Sequence, residues 1–189
     1  LPDEGQRVEP VFMASRDGLH FKRWSEPVIS EDAPEDRKGN RSNYMTWGLL
    51  QLPGKNHEYS VYATEAYYTG LDSRVRRFTY RVDGFVSAHA GEQLGHLLTQ
   101  PVIFKGQQLD LNLLTTESGS VAVEIQDIDG KPIPGFSLKE CQRLSGDSTS
   151  SRVQWKSGQS LQTLAGRPVR LHFAIQNGDL YSFQFTDRK

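Results

Sequence analysis

Seven residues in the first half of the chain have the types and spacing to handle a sugar: Arg41, Asn43, Tyr44, Trp47, Glu65, Tyr67 and Tyr68. A pyranose or furanose ring offers an apolar face, which a flat aromatic side chain covers, and hydroxyls, which Arg, Asn and carboxylate groups bond. Tyr44, Trp47, Tyr67 and Tyr68 supply the faces, and Arg41 and Asn43 the polar contacts. Glu65 is the candidate catalytic acid. It is the one carboxylate in an otherwise uncharged, aromatic stretch, a setting in which a carboxyl group resists ionisation. Glycosidic cleavage uses a pair of carboxylates flanking the scissile bond, so a lone Glu65 is insufficient. The same residues also fit a strand end in which Glu65 pairs with Arg41 or Arg74 and the tyrosines fill a core.

Two apolar and aromatic runs must position these residues. YMTWGLLQL (44–52) and HEYSVYATEAYY (57–68) are joined across Pro53-Gly54-Lys55-Asn56, which is turn chemistry and predicts a hairpin. A third strand, 74–82, has Val75, Arg77, Thr79 and Arg81 on one side and Arg76, Phe78, Tyr80 and Val82 on the other, completing a blade-like antiparallel sheet. Upstream, VFMAS and the run 19–24 predict another hairpin, closed by Ser15-Arg16-Asp17-Gly18. Between the hairpins, SEDAPEDRKGNRSN is polar and unpatterned and reads as an exposed loop.

After a turn at Asp83-Gly84, which places a boundary at about residue 83, the pattern is that of an all-β sandwich. Strands are expected near 85–89, 94–104, 108–115, 119–126, 152–156, 167–176 and 178–186, the last two joined by an Asn177-Gly178 hairpin. Val121, Val123 and Ile125 share one face, as do Val169, Leu171, Phe173 and Ile175; Tyr181, Phe183 and Phe185 read as packing residues. Between strands, Asp129-Gly130 makes a turn, and Pro132 and Pro134 exclude helix. Ser137 and Glu140 can cap a single helical turn, and helix is confined to that turn near Cys141. Trp155 is expected to reopen a strand.

Composition excludes several functions. The chain has 189 residues with a net charge of -1, so no polyanion-binding surface dominates and nucleic acid is not an expected partner. No apolar run approaches the roughly 20 residues of a membrane span, and the start resembles no signal peptide; a first residue other than Met suggests a portion of a longer protein. The single Cys141 cannot form an intrachain disulfide and is expected in the core. Asp127, Asp129 and Asp147 are weak candidates for a structural calcium, against simple Asp turns; no other cofactor is expected. His89, His96 and His172 lack ligand-type spacing, which argues against a catalytic zinc. A serine hydrolase is disfavoured because no G-x-S-x-G elbow occurs.

The distributed pattern Asp127, Asp129-Gly130, PIPGF (132–136), Cys141, Gly146-Asp147, Trp155, LAGRPVR (164–170) and DLYSFQF (179–185) resembles a known architecture. It is similar to the C-terminal β-sandwich of large secreted bacterial proteins whose upstream part looks like a five-bladed β-propeller glycosidase of invertase, levanase or arabinanase type. The S-x-D-G hairpin at Ser15 resembles the outer hairpin of a propeller blade, and Arg81-x-Asp83-Gly84-Phe85-x-Ser87 resembles the passage from the last blade into the sandwich.

The resemblance implies a propeller remnant over 1–82 and a jelly-roll or galectin-like sandwich over 83–189. It also implies a secreted or periplasmic location, oligo- or polysaccharide and an upstream propeller as partners, and no membrane. The implied role is that of a non-catalytic accessory or carbohydrate-binding portion. Two alternatives stay open: a portion of a retaining or inverting glycosidase whose funnel is completed by upstream blades, and a structural or protein-interaction module pairing through its sheet edge. The acid and nucleophile motifs of such enzymes are absent from these residues, so the chain alone is expected to be inactive.

Overall fold

The computed structural model describes residues 8–29, 43–65, 67, 71 and 73–187; Arg41 and Tyr68 lie outside them. The chain is all-β, and its paired strands are antiparallel. Contacts divide it after Phe85 into two compact units. No helix among the described residues is long and apolar enough to cross a membrane.

In the first unit, β1 (Val11–Ser15) pairs with β2 (Phe21–Pro27). Asp17 builds the loop between them: its carboxylate accepts the Leu19 and His20 amides at 2.9 and 2.8 Å and meets the His20 ring at 2.6 Å. These contacts, the His20 side chain first, hold the Asp17 carboxyl well below its usual range. A second pair joins β3 (Glu58–Glu65) to β4 (Arg74–Arg81) in unbroken register from Glu58↔Arg81 to Glu65↔Arg74.

The run expected as a full strand at 44–52 makes only isolated bridges to β3, Met45↔Ala63 and Leu50↔Ser60. Four residues on the outer segment oppose two on β3 between those bridges, so the chain bulges outward there, with Gly48 at a φ of 108°. Phe85 anchors the unit's aromatic core. It stacks on Phe12 at 4.9 Å and meets Tyr80 at 5.6 Å, while the Tyr80 hydroxyl donates to the Val28 carbonyl.

The second unit is organised by two 19-residue strands, β8 (Gln108–Gln126) and β10 (Pro168–Thr186), paired along their length. Along the far edge of β10 lie β5 (Ala88–Ala90), β6 (Gly95–Leu98) and β7 (Val102–Ile103); β9 (Asp147–Arg152) borders β8. A straight ladder of that length would extend about 60 Å, yet Leu109, Leu111 and Leu113 share one core with Val121, Val123 and Ile125. The ladder therefore folds over at its one large irregularity, where Gln176↔Ser120 is followed by Gly178↔Thr115.

This overturns the expected Asn177-Gly178 hairpin. Asn177 does take a positive φ of 46°, but as a bulge inside a continuous strand. A Cβ on Gly178 would come within 2.8 Å of the Leu114 carbonyl, and one on Gly119 within 2.2 Å of the Asn177 carbonyl. Both glycines are required by backbone approach where the ladder folds. A second register shift, between Leu180 and Ser182, lets Leu180, Phe183 and Phe185 oppose Leu113, Leu111 and Leu109 on one face, against the strict alternation expected. Phe183 and Phe185 pack on the core, with Phe185 stacked on Phe104 at 3.9 Å.

The stretch between β8 and β9 is irregular but stitched to the β8 edge. Ile133 N–H donates to the Ile125 carbonyl, Ile125 N–H to the Phe136 carbonyl, and Leu144 and Val121 exchange both bonds. Ser137 and Glu140 form half of the expected capping box: the Glu140 carboxylate accepts the Ser137 N–H and O–H at 3.2 and 2.7 Å, while the Glu140 N–H donates to the Ser137 carbonyl and not to its hydroxyl. The helix expected there is only a hydrogen-bonded turn; helix appears instead as a 3-10 turn at Leu161–Leu164, capped by Ser160, which buries both of its leucines. Trp155 opens no strand; it makes a single bridge to Cys141.

Cys141 is buried, accepts the Val123 N–H at Sγ, and has its thiol pushed up by burial. Thiolate is the reactive form. The native chain should therefore leave a neutral-pH thiol reagent such as DTNB unreacted and consume one equivalent once unfolded in guanidinium. Fast stoichiometric reaction of the folded chain would contradict the buried placement.

Candidate functional site

Among the described residues, those expected to form a sugar site in the first unit do not converge. Glu65, at the end of β3, is fully buried and lies on the same sheet face as Arg74 and Arg76. Arg74 Nε and Arg76 Nε both donate to its Oε2, the latter at 2.9 Å. The uncharged setting inferred for Glu65 is thus corrected: β4 brings two guanidiniums against it, and the pairing alternative holds with Arg74. Trp47 sits on the outward bulge and is fully exposed, so it shares no surface with Glu65. Asn43 is buried and unavailable to a ligand. Tyr44 and Tyr67 do meet, with ring centroids 4.8 Å apart, and Tyr44 is exposed.

A different set of groups converges in the second unit. A cleft of about 500 Å³ lies where the start of β8, the chain after β9 and the 3-10 turn come together. Its buried floor is Val153, Trp155 and Leu161, and its walls carry Gln107, Gln108, Gln142, Gln154 and Gln159 with Arg152 and Ser160. Arg152 is fixed by donating from Nε to Asp110 Oδ1 at 2.6 Å. The Trp155 ring is held edge-on to Phe136, at 75° and 5.2 Å, and its Nε1–H donates to the Val123 carbonyl at 3.0 Å. Trp155 is therefore a floor residue and no exposed stacking platform.

Among the described residues, no protein group bonds the five glutamine side-chain amides of the cleft. A carboxamide both donates and accepts, which suits hydroxyls that do the same. No carboxylate is among the lining residues, so the cleft has no acid and base with which to cleave a glycosidic bond.

No protein-family model, curated protein or solved structure matches this chain. The site rests on its own geometry.

The other candidates resolve locally. Asp127 Oδ1 accepts the Asp129 and Lys131 amides, both at 2.9 Å, closing its own turn, while Asp147 opens β9. These three aspartates do not gather: among the described residues no three His, Cys, Asp or Glu side chains are placed to hold a metal. Ser87 and His89 both bond Asp179, at 2.7 and 3.1 Å. The carboxylate stands in the middle of that group; a nucleophile relay would need the imidazole there. His96 and His172, 76 positions apart, have ring nitrogens 2.9 Å from each other. Spacing along the chain hides such a pair, and only the register of β6 on β10 discloses it. The glutamines of the cleft left one sequence signal, a recurrence of neutral polar residues in the exposed positions of 142–159.

Proposed function

We propose that this chain is a non-catalytic, carbohydrate-binding portion of a glycoside-hydrolase-like protein. The observation that carries the reading is the amide-walled cleft: five carboxamides, unclaimed by protein partners among the described residues, surround a volume suited to a small ligand and no carboxylate joins them. Carboxamides around an Arg152 whose charge is already matched by Asp110 favour a neutral polyol over an anion or a cation. The resemblance of the 127–185 pattern to sandwiches that accompany propeller glycosidases supports the same class of ligand.

Isothermal titration calorimetry of the full chain with fructo-, arabino- and xylo-oligosaccharides tests this. One series should give saturable heat, and the Gln142→Ala, Gln154→Ala double variant should bind it about tenfold more weakly, since each lost hydrogen bond counts for about 0.5–1.5 kcal/mol. Unchanged affinity in that variant would remove the cleft from the reading.

A second reading is favoured by a specific observation. The 44–50 segment exposes Tyr44, Met45, Trp47, Leu49 and Leu50 along the edge of the β3 and β4 sheet, as a protein-interaction edge would. Loss of sugar heat only in Trp47→Ala would move binding to that edge. Absence of heat with every sugar would favour the interaction module.

A further inference from the structure

We propose that His96 and His172 form a two-imidazole site for a divalent transition-metal ion, Cu²⁺ or Ni²⁺, with water completing the coordination. The inference is independent of sugar binding. Strand register brings the pair together: His172 opposes Leu98 and Ala174 opposes His96 in the β6 and β10 pairing, so both imidazoles stand on one face, diagonally adjacent. His96 Nδ1 and His172 Nε2 are 2.9 Å apart, with ring centroids at 5.1 Å.

That separation is informative. At metal–nitrogen bonds of about 2.0–2.1 Å two donors on one ion lie about 2.9–3.3 Å apart, so the hydrogen-bonded pair already stands at chelating spacing and an ion need only replace the N–H···N bond as His96 turns. Among divalent ions, Ni²⁺ and Cu²⁺ stand highest in affinity for nitrogen donors. The His96 ring is exposed and free to turn its lone pair onto an ion, and open positions face water.

The surroundings supply what a ligating histidine needs. On the other side of β10, Glu124 opposes His172, and its Oε1 lies 3.3 Å from His172 Nδ1. A proton on Nδ1 directed at this carboxylate leaves Nε2 as a lone pair facing His96, the carboxylate–histidine–metal arrangement. Glu124 is itself fixed, accepting from Gln126 Nε2 at 2.8 Å and the Leu138 N–H at 3.1 Å. The next charge on this face of β10 is Arg170, opposite Gln126.

The test uses tag-free, chelator-treated full chain titrated with CuCl₂ or NiCl₂, followed by calorimetry and, for copper, by electron paramagnetic resonance. The chain has five histidines, so His20, His57 and His89 serve as the control. Expected are one ion per chain, nitrogen hyperfine structure, affinity unchanged in the triple variant His20→Ala, His57→Ala, His89→Ala, and at least tenfold weaker binding in His96→Ala. Glu124→Gln, which loses the orienting carboxylate, should weaken binding by about 10–100-fold. His96→Ala is a surface change whose fold is checked by its melting curve, so the proposal does not depend on the buried variant. Binding that survives His96→Ala, is lost in the triple control, or is absent from the wild type overturns the proposal.

Discussion

Replacing Phe136 by alanine is expected to cost about 3–5 kcal/mol, lowering the melting temperature of the second unit by roughly 15 °C or more. Phe136 is fully buried although it belongs to no regular strand, and its ring meets Trp155 edge-on. The irregular stretch that carries it buries little else of comparable size: its other core contributors are Cys141 and the partly buried Ile133, Leu138 and Leu144. The ring therefore plugs this side of the β8 and β10 core, and the stitched backbone around it prevents the neighbours from closing the void. Phe136→Leu, which keeps most of the volume, should lose less than about 1.5 kcal/mol. Guanidinium unfolding in a Trp24→Phe, Trp47→Phe background, where the one remaining tryptophan is Trp155, reads the second unit alone. A loss below about 1 kcal/mol for Phe136→Ala would mean that the stretch is a peripheral loop after all.

What the sequence disclosed and what it concealed differ by range. The Asp17-Gly18 loop and the Ser137, Glu140 turn depend on neighbours a few positions apart, and their residue types announce them. Asn177-Gly178 announces equally well a positive φ, which a hairpin and a bulge both need; the choice is made by Leu114 and Gly119, far away in the chain, whose backbones press on this point. Tyr181 shows the same limit, because a single bulge exchanges the faces of every residue that follows it.

For the candidate sites the limit is sharper. Glu65 looked uncharged because Arg74 and Arg76 come from the next strand, and the direction in which a strand presents its guanidiniums follows from register. His96 with His172, and Gln142 with Gln154, are likewise products of pairing. The aromatic residues were legible as a class, yet only burial sorts Trp47, wholly in solvent, from Trp155, whose indole N–H is spent on a core carbonyl.

Glu65 supplies the other large effect. Removing one partner of a buried ion pair costs about 3–5 kcal/mol when the remaining charge stays unhydrated. Arg74 and Arg76 are 36% and 39% exposed at the side chain, so water can reach them once the carboxylate is gone, which brings the expected loss for Glu65→Ala to about 2–3 kcal/mol. The decisive comparison is the triple variant Glu65→Leu, Arg74→Met, Arg76→Met. Because it removes both signs of charge together, it should recover most of that loss, as replacement of a buried pair by apolar groups commonly does. A catalytic acid behaves in the opposite way: its removal leaves stability intact or raises it, and no apolar triple variant is needed for rescue. Denaturation of the first unit, followed by Trp24 and Trp47 fluorescence in a Trp155→Phe background compared with its own parent, measures both variants. A Glu65→Ala chain as stable as its parent would return Glu65 to the list of functional carboxylates, whereas a destabilised one that the triple variant restores fixes its role as the charge that neutralises two arginines at the end of β3.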